Sequence, residues 1–197
     1  MTTIVDYGAG NLRSVQNTLD ELGASYRVTN RAEDVETADK LLLPGVGHFG
    51  QMMTALDNLQ LRGAIADRVR AGVPLLGICL GLQCLFEGSE EASDKKGFGF
   101  LKGQIRKFSG EIRIPHMGWN SLDAVRPAKL LHGMEAHPFT YFAHSFYAPV
   151  TTATAATCTY SVPYTAILER DNLFGVQFHP EKSGPVGLRI VKNFLDL

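Results

Sequence analysis

Ten residues, Pro74-Leu-Leu-Gly-Ile-Cys-Leu-Gly-Leu-Gln83, constrain this chain more than any other segment. A short apolar run ends at Cys79, with Gly77 and Gly81 two residues away on either side. The pattern predicts a nucleophile elbow, in which a buried parallel strand stops, the chain turns sharply and a helix starts beneath the reactive side chain. A Cβ at either glycine would collide where strand and helix converge. The turn lifts the sulfur out of the core. It also directs the first helical N–H groups at negative charge beside the sulfur, which lowers the thiol pKa and stabilises an oxyanion. Taken alone, the same pattern also fits a buried, inert cysteine.

A second segment separates these readings. Phe178-His-Pro-Glu181 lies about a hundred residues downstream, after the apolar run Leu173-Phe-Gly-Val-Gln-Phe178. A strand ending in His179 presents a general base, and Glu181 accepts from the far ring nitrogen and fixes its tautomer. Cys79, His179 and Glu181 then supply nucleophile, base and orienting acid. That set favours acyl transfer from an amide or ester through a thioester. Pro44-Gly-Val-Gly47, at another strand end, is suited to turn a peptide N–H toward the carbonyl oxygen. The residues thus specify a thiol amidohydrolase, but not which amide it takes.

The order of elements predicts an α/β fold with a mostly parallel central sheet, helices on both sides and an added antiparallel portion. Ile4 and Val5 begin a strand, Asn11 is suited to cap a helix carrying Leu12, Val15, Leu19 and Leu22, and further strands fall at Tyr26 to Thr29 and Lys40 to Leu43. Met52 to Val69 has helical spacing with a break near Gly63. Between Gly97 and Tyr164 the pattern shifts to strand-like pieces at Gly103 to Phe108, Thr140 to Tyr147 and Ala156 to Ser161. A last helix runs through Leu188, Val191, Phe194 and Leu195. We read residues 1–197 as a single domain.

Composition closes off other classes. A formal net charge of -1 gives no broad field for nucleic acid or an anionic membrane. No run reaches transmembrane length, and three cysteines, Cys79, Cys84 and Cys158, make no disulfide framework, so a cytoplasmic location is expected. Cys84 reads as packing on the elbow helix beside Leu80 and Phe86, and Cys158 as inert. Gly8-Ala-Gly-Asn11 lacks the third glycine of a dinucleotide fingerprint, and no Walker A sequence occurs. The other histidines, His48, His116, His132, His137 and His144, are scattered along the chain, so neither metal nor cofactor is expected.

Pro44-Gly-Val-Gly47, Gly77-Ile-Cys-Leu-Gly81 and His179-Pro-Glu181 together resemble the triad class (class I) of glutamine amidotransferases, which release ammonia from glutamine for a synthase. Asp6-Tyr-Gly-Ala-Gly-Asn11, Ile114-Pro-His-Met-Gly-Trp-Asn120, Tyr141-Phe-Ala-His-Ser145 and Gln177-Phe-His-Pro-Glu-Lys-Ser183 are similar to the glutaminase subunits of imidazole glycerol phosphate synthases. The resemblance covers Ile4 to Phe194. It implies L-glutamine as substrate and a 1:1 heterodimer with a cyclase subunit of (β/α)₈ form, on the route to histidine. A glutaminase serving another ammonia-accepting synthase is the alternative.

Matched position by position, the resemblance makes Cys79 the nucleophile, His179 the base and Glu181 the orienting acid. The backbone N–H groups of Leu80 and Val46 become the oxyanion hole, Val46 as it stands or after its peptide turns over. Gly47, Gln83, Ser145 and Phe146 would hold glutamine. Some relatives carry threonine or serine followed by tyrosine at Ser145-Phe146, so a tyrosine hydroxyl contact is absent here. Asn11, Pro115, Met117, Trp119 and Lys182 would face the partner, with Trp119 read as lying in a polar turn.

Overall fold

The computed structural model describes residues 1–197. The first half alternates strand and helix: β1 (Thr2–Val5), α1 (Leu12–Glu21), β2 (Tyr26–Thr29), α2 (Ala32–Glu36), β3 (Lys40–Gly45), α3 (Phe49–Asn58), α4 (Leu61–Arg70) and β4 (Leu75–Cys79). A one-turn α5 (Leu80–Gln83) follows, then β5 (Phe86–Ser89), β6 (Ala92–Lys96), β7 (Leu101–Lys107), β8 (His116–Ser121) and β9 (Asp123–Ala124). The chain closes with β10 (Phe139–His144), β11 (Phe146–Tyr147), β12 (Thr154–Tyr160), β13 (Val162–Arg170), β14 (Leu173–Val176) and α6 (Gly184–Leu195).

Eight strands form one sheet in the order β2-β1-β3-β4-β14-β13-β12-β9. The first five are parallel neighbours, and β13 joins β14 antiparallel, which starts the antiparallel portion. β4 sits at the centre because all five of its residues are buried, and only a strand covered on both faces can be apolar throughout. Two smaller sheets, β10-β8 and β11-β7-β5-β6, stand beside the main one.

Apolar side chains on the two faces form two cores. Met52, Met53, Leu56, Leu61 and Ile65 of α3 and α4 lie in one cluster. Val15 and Leu19 of α1 join Ile190, Val191 and Phe194 of α6 in the other. Each such large side chain contributes roughly 1.5–3 kcal/mol by leaving water. The sheet is thereby held rigid from both sides, and the strand ends that carry Cys79 and Gly45 are fixed relative to each other.

Several local expectations are corrected. The break between α3 and α4 falls at Gln60, in the left-handed conformation at φ 58°, which cannot continue a helix, whereas Gly63 lies inside α4. Asn11 occupies the cap position of α1, yet its side chain makes no capping hydrogen bond. The elbow helix lasts one turn, because the carbonyls of Cys84, Leu85 and Phe86 accept from Phe98, Leu101 and Gly99 and pull the chain into β5. Thr140 to Tyr147 is two strands, with β10 pairing to β8 and β11 to β7. Trp119 belongs to β8 and sits opposite Tyr141 instead of in a turn.

Candidate active site

The elbow is built by close approach. A Cβ on Gly77 would stand 2.6 Å from the carbonyl of Gly81, one on Gly45 would stand 2.5 Å from the nitrogen of Gly81, and one on Gly81 would run into the carbonyl oxygen of Leu43. These contacts are with backbone, which cannot swing aside. Glycine is therefore required where β3, β4 and α5 converge. Cys79 itself has φ 54° and ψ -109°, a conformation rare for a residue with a side chain. Strain of this kind costs of order 1–3 kcal/mol and persists only where the surrounding packing imposes it.

His179 arrives from β14, three residues beyond Val176. Its N–H donates to the Tyr141 carbonyl at 2.9 Å, and its own carbonyl accepts from the Ser183 hydroxyl at 2.6 Å. Ser183 in turn accepts from Tyr141 N–H at 3.0 Å, so three bonds lock the base to β10. His179 Nδ1 lies 2.9 Å from Glu181 Oε1, both side chains being almost fully buried. A carboxylate only accepts, so Nδ1 carries the proton and Nε2 is left for the nucleophile. Burial works against a charged imidazole, but the neighbouring Cys79 sulfur and the hydrogen-bonded Glu181 carboxylate outweigh it and raise the His179 pKa above its ordinary value. The surroundings thus favour the protonated form of the imidazole.

One cavity of about 240 Å³ collects most of the residues singled out above. Cys79, His179 and Leu80 line it together with Val46 and Gly47 from the end of β3, Gln83 from α5, and Ser145 and Phe146 from the junction of β10 and β11. Leu80 N–H is at the first position of α5, where a helix offers no intrahelical acceptor. Val46 N–H is in a different state. It donates to the Tyr7 hydroxyl at 3.1 Å, and that hydroxyl donates back to the Val46 carbonyl at 3.3 Å. Tyr7 thus spans the peptides on both sides of Val46 and engages the donor assigned to the oxyanion.

Of the five residues that the resemblance would turn toward a partner, Pro115 and Met117 line the cavity and the other three lie outside it. Pro115 and Met117 line the cavity and are exposed, and Trp119 is 56% exposed in the same strand. Lys182 Nζ stands 5.7 Å from the centre of the Tyr141 ring, and Trp119 meets that ring edge-on at 6.2 Å. Asn11 begins α1, which packs on the turn Pro180–Lys182.

The two remaining thiols are sequestered. Cys84 is fully buried with Sγ 3.4 Å from Met52 Sδ, and burial raises its pKa far out of the reactive range. Cys158 is likewise buried, its thiol pushed up to about 11.

Two histidines called scattered in the sequence are neighbours in space. His116 Nδ1 and His144 Nε2 are 3.3 Å apart, and Tyr164 Oη is 3.3 Å from each. His144 Nδ1 donates to the Phe146 carbonyl at 2.9 Å. Glu91 also lines the cavity and accepts from Phe49 N–H at 2.7 Å, and neither it nor Tyr7 nor Gln177 stands out in the sequence as a site residue. Gln177 was the one within reach, because it precedes His179 by two residues and extended chain places such residues on one side.

A strained cysteine at the end of a central parallel strand, with a histidine and a glutamate from the neighbouring strand end, defines a class of amide-processing enzymes, and the comparisons place the chain within it. The sequence matches the family "Glutamine amidotransferase class-I" over residues 3–197, and the chain belongs to that family. A solved structure described as a glutamine amidotransferase superposes with a TM-score of 0.78 at 17% identity, covering 98% of this chain and 97% of the other, which supports the fold. Within the family, the chain groups with the imidazole glycerol phosphate synthase subunits HisH. It is 48% identical to that of Deinococcus radiodurans over 97% of this chain and 91% of the relative, and 45% identical to that of Syntrophotalea carbinolica over the full length of both.

Proposed function

We propose that this chain is the glutaminase subunit of an imidazole glycerol phosphate synthase, acting as one domain over residues 1–197 and releasing ammonia from L-glutamine for a cyclase partner. The observation that carries the reading is the cavity that opens Cys79 and His179, the latter held from behind by the buried Glu181 carboxylate, toward the exposed Pro115 and Met117. Cys79 passes its thiol proton to His179 Nε2 as Sγ attacks the side-chain carboxamide carbon, and the oxygen takes up negative charge facing the N–H of Leu80 and, once turned, of Val46. His179 gives its proton to the departing nitrogen as the C–N bond breaks, and ammonia leaves. Water then attacks the thioester, His179 takes the water proton, and glutamate departs as the C–S bond breaks and His179 returns that proton to the sulfur. Gly47, Ser145 and Phe146 hold the amino-acid end of the substrate, and Gln83 contacts it as well.

Asn11, Pro115, Met117, Trp119 and Lys182 form the docking face for a (β/α)₈ cyclase in a 1:1 heterodimer. Pro115 and Met117 are both cavity wall and outer surface, so a partner seated there closes the site and keeps ammonia from water. No helix is long and apolar enough to cross a membrane, and we place the enzyme in the cytoplasm, where a reactive thiol stays reduced. The test is the steady-state rate of glutamate release by the isolated subunit, by the complex, and by the complex with the cyclase substrate. The rate rises at each step if the partner completes the oxyanion hole. Equal rates in all three contradict the coupling, and stimulation by a different synthase in place of the cyclase identifies the alternative acceptor.

A further inference from the structure

We propose that Gln177, outside the triad, donates a hydrogen bond to the nucleophilic sulfur and at the same time fixes the carboxamide of Gln83 in the substrate cavity. Gln177 is fully buried, and its backbone N–H donates to the Ala166 carbonyl at 2.9 Å, which anchors it to β13. Its Nε2 lies 3.6 Å from Cys79 Sγ. Its Oε1 accepts from Gln83 Nε2 at 3.1 Å, and Gln83 Nε2 also donates to the Phe146 carbonyl at 2.8 Å.

The chemistry of these partners fixes both amides without appeal to how nitrogen and oxygen were assigned. A peptide carbonyl only accepts, so Gln83 must turn its NH₂ toward Phe146. The second hydrogen of that NH₂ then points to Gln177, which must answer with oxygen, leaving the Gln177 NH₂ against the sulfur. An N–H donor there favours a thiolate over a thiol, since hydrogen bonds to a charged acceptor are about twice as strong as neutral ones. The elbow helix is one turn long and supplies few aligned peptide dipoles, so a side-chain donor has a distinct role. Both Gln83 hydrogens being spent, its Oε1 is the group left to accept from a bound substrate N–H. His144 also donates to the Phe146 carbonyl at 2.9 Å and holds that shared acceptor in place.

The inference rests on the glutaminase reading, and the experiment separates the two. In the complex with the cyclase, Gln177→Met keeps the length of the side chain but removes donor and acceptor. Gln177→Glu restores an acceptor for Gln83 without restoring the amide donor to sulfur. Ammonia-driven synthesis reports folding and assembly and stays within about twofold of wild type for both variants. Gln177→Met lowers kcat about 10- to 100-fold, raises KM for glutamine, and moves the pH profile of Cys79 alkylation by iodoacetamide upward by about one unit or more. Gln177→Glu recovers KM to within about threefold while kcat and the alkylation profile stay displaced. A side chain that only fills space gives no such split. Wild-type alkylation profile and kcat in either assembled variant overturn the inference and leave the glutaminase reading intact. A wild-type complex that makes product from ammonia but never from glutamine overturns the reading itself.

Discussion

Replacing Tyr7 with phenylalanine tests how the oxyanion hole is held in the isolated subunit. The Tyr7 hydroxyl accepts from Val46 N–H at 3.1 Å and donates to the Val46 carbonyl at 3.3 Å, so one atom ties down two successive peptides. The N–H bond is at the long end of its normal range and the O–H bond is longer than usual, and neutral bonds of this kind are worth about 0.5–1.5 kcal/mol each at most. Together they favour the latched peptide by about 1–2 kcal/mol, a factor of roughly 5–30 in the ratio of latched to turned states. Burial pushes the Tyr7 hydroxyl up to about 12, so it remains protonated and the latch persists throughout the working pH range. Tyr7→Phe removes the hydroxyl with little change in apolar packing and leaves Val46 N–H to seek another acceptor. Glutamate release by the isolated variant then rises about 5- to 10-fold, while the partner-stimulated rate changes by less than about threefold if, as we propose, docking itself populates the turned state. The assay is coupled detection of glutamate with and without cyclase and its ligand. An unchanged or lower basal rate in a folded Tyr7→Phe subunit refutes the latch.

Glu181→Gln keeps a partner for His179 but removes the charge that stabilises the imidazolium; kcat falls about 10- to 100-fold with KM little altered, and an unchanged kcat with chemistry rate-limiting makes Glu181 structural. A glutamine-like electrophile labels Cys79 and is blocked by glutamine, since Cys84 and Cys158 are buried with raised pKa values; peptide mapping that finds the label on Cys84 contradicts this. Acid weakens the fold through His116 and His144, whose pKa values burial lowers to about 4 and about 3. Both are neutral in the folded chain and protonate near pH 6.5 when unfolded, so their contribution is complete above pH 6.5 and is lost as pH falls toward 4. The slope is about 1.4 kcal/mol per pH unit for each histidine, read from urea unfolding between pH 7 and 5. His179 has the opposite sign, losing its contribution as pH rises above 6.5, and a flat profile below pH 6.5 contradicts the burial argument.

Cys79, Gly77, Gly81, His179 and Glu181 were legible because an elbow and a strand-end base are local constructions, written in consecutive residues. The parallel half of the sheet was legible for the same reason, each strand being a short apolar run bounded by turns. Trp119 was misread because β8 owes its strand character to β10, some twenty residues away in sequence, and not to its own composition. His116 and His144 are opposite each other in that same pair of strands, a relation that only register supplies. Tyr7 and Gln177 gain their places from the packing of β1 and β14 around β3 and β4, so their contacts with Val46 and Cys79 appear only once the sheet is assembled.

The most direct test of the account is Cys79→Ala in the assembled complex, with glutamine and ammonia compared as nitrogen sources. The sulfur acts only before ammonia is released, so glutamine-driven synthesis falls by at least about 10³-fold while ammonia-driven synthesis stays within about twofold of wild type. Retention of glutamine-driven synthesis, or loss of both activities in a complex that still folds and assembles, would contradict the assignment of Cys79 as the nucleophile of a separate glutaminase site.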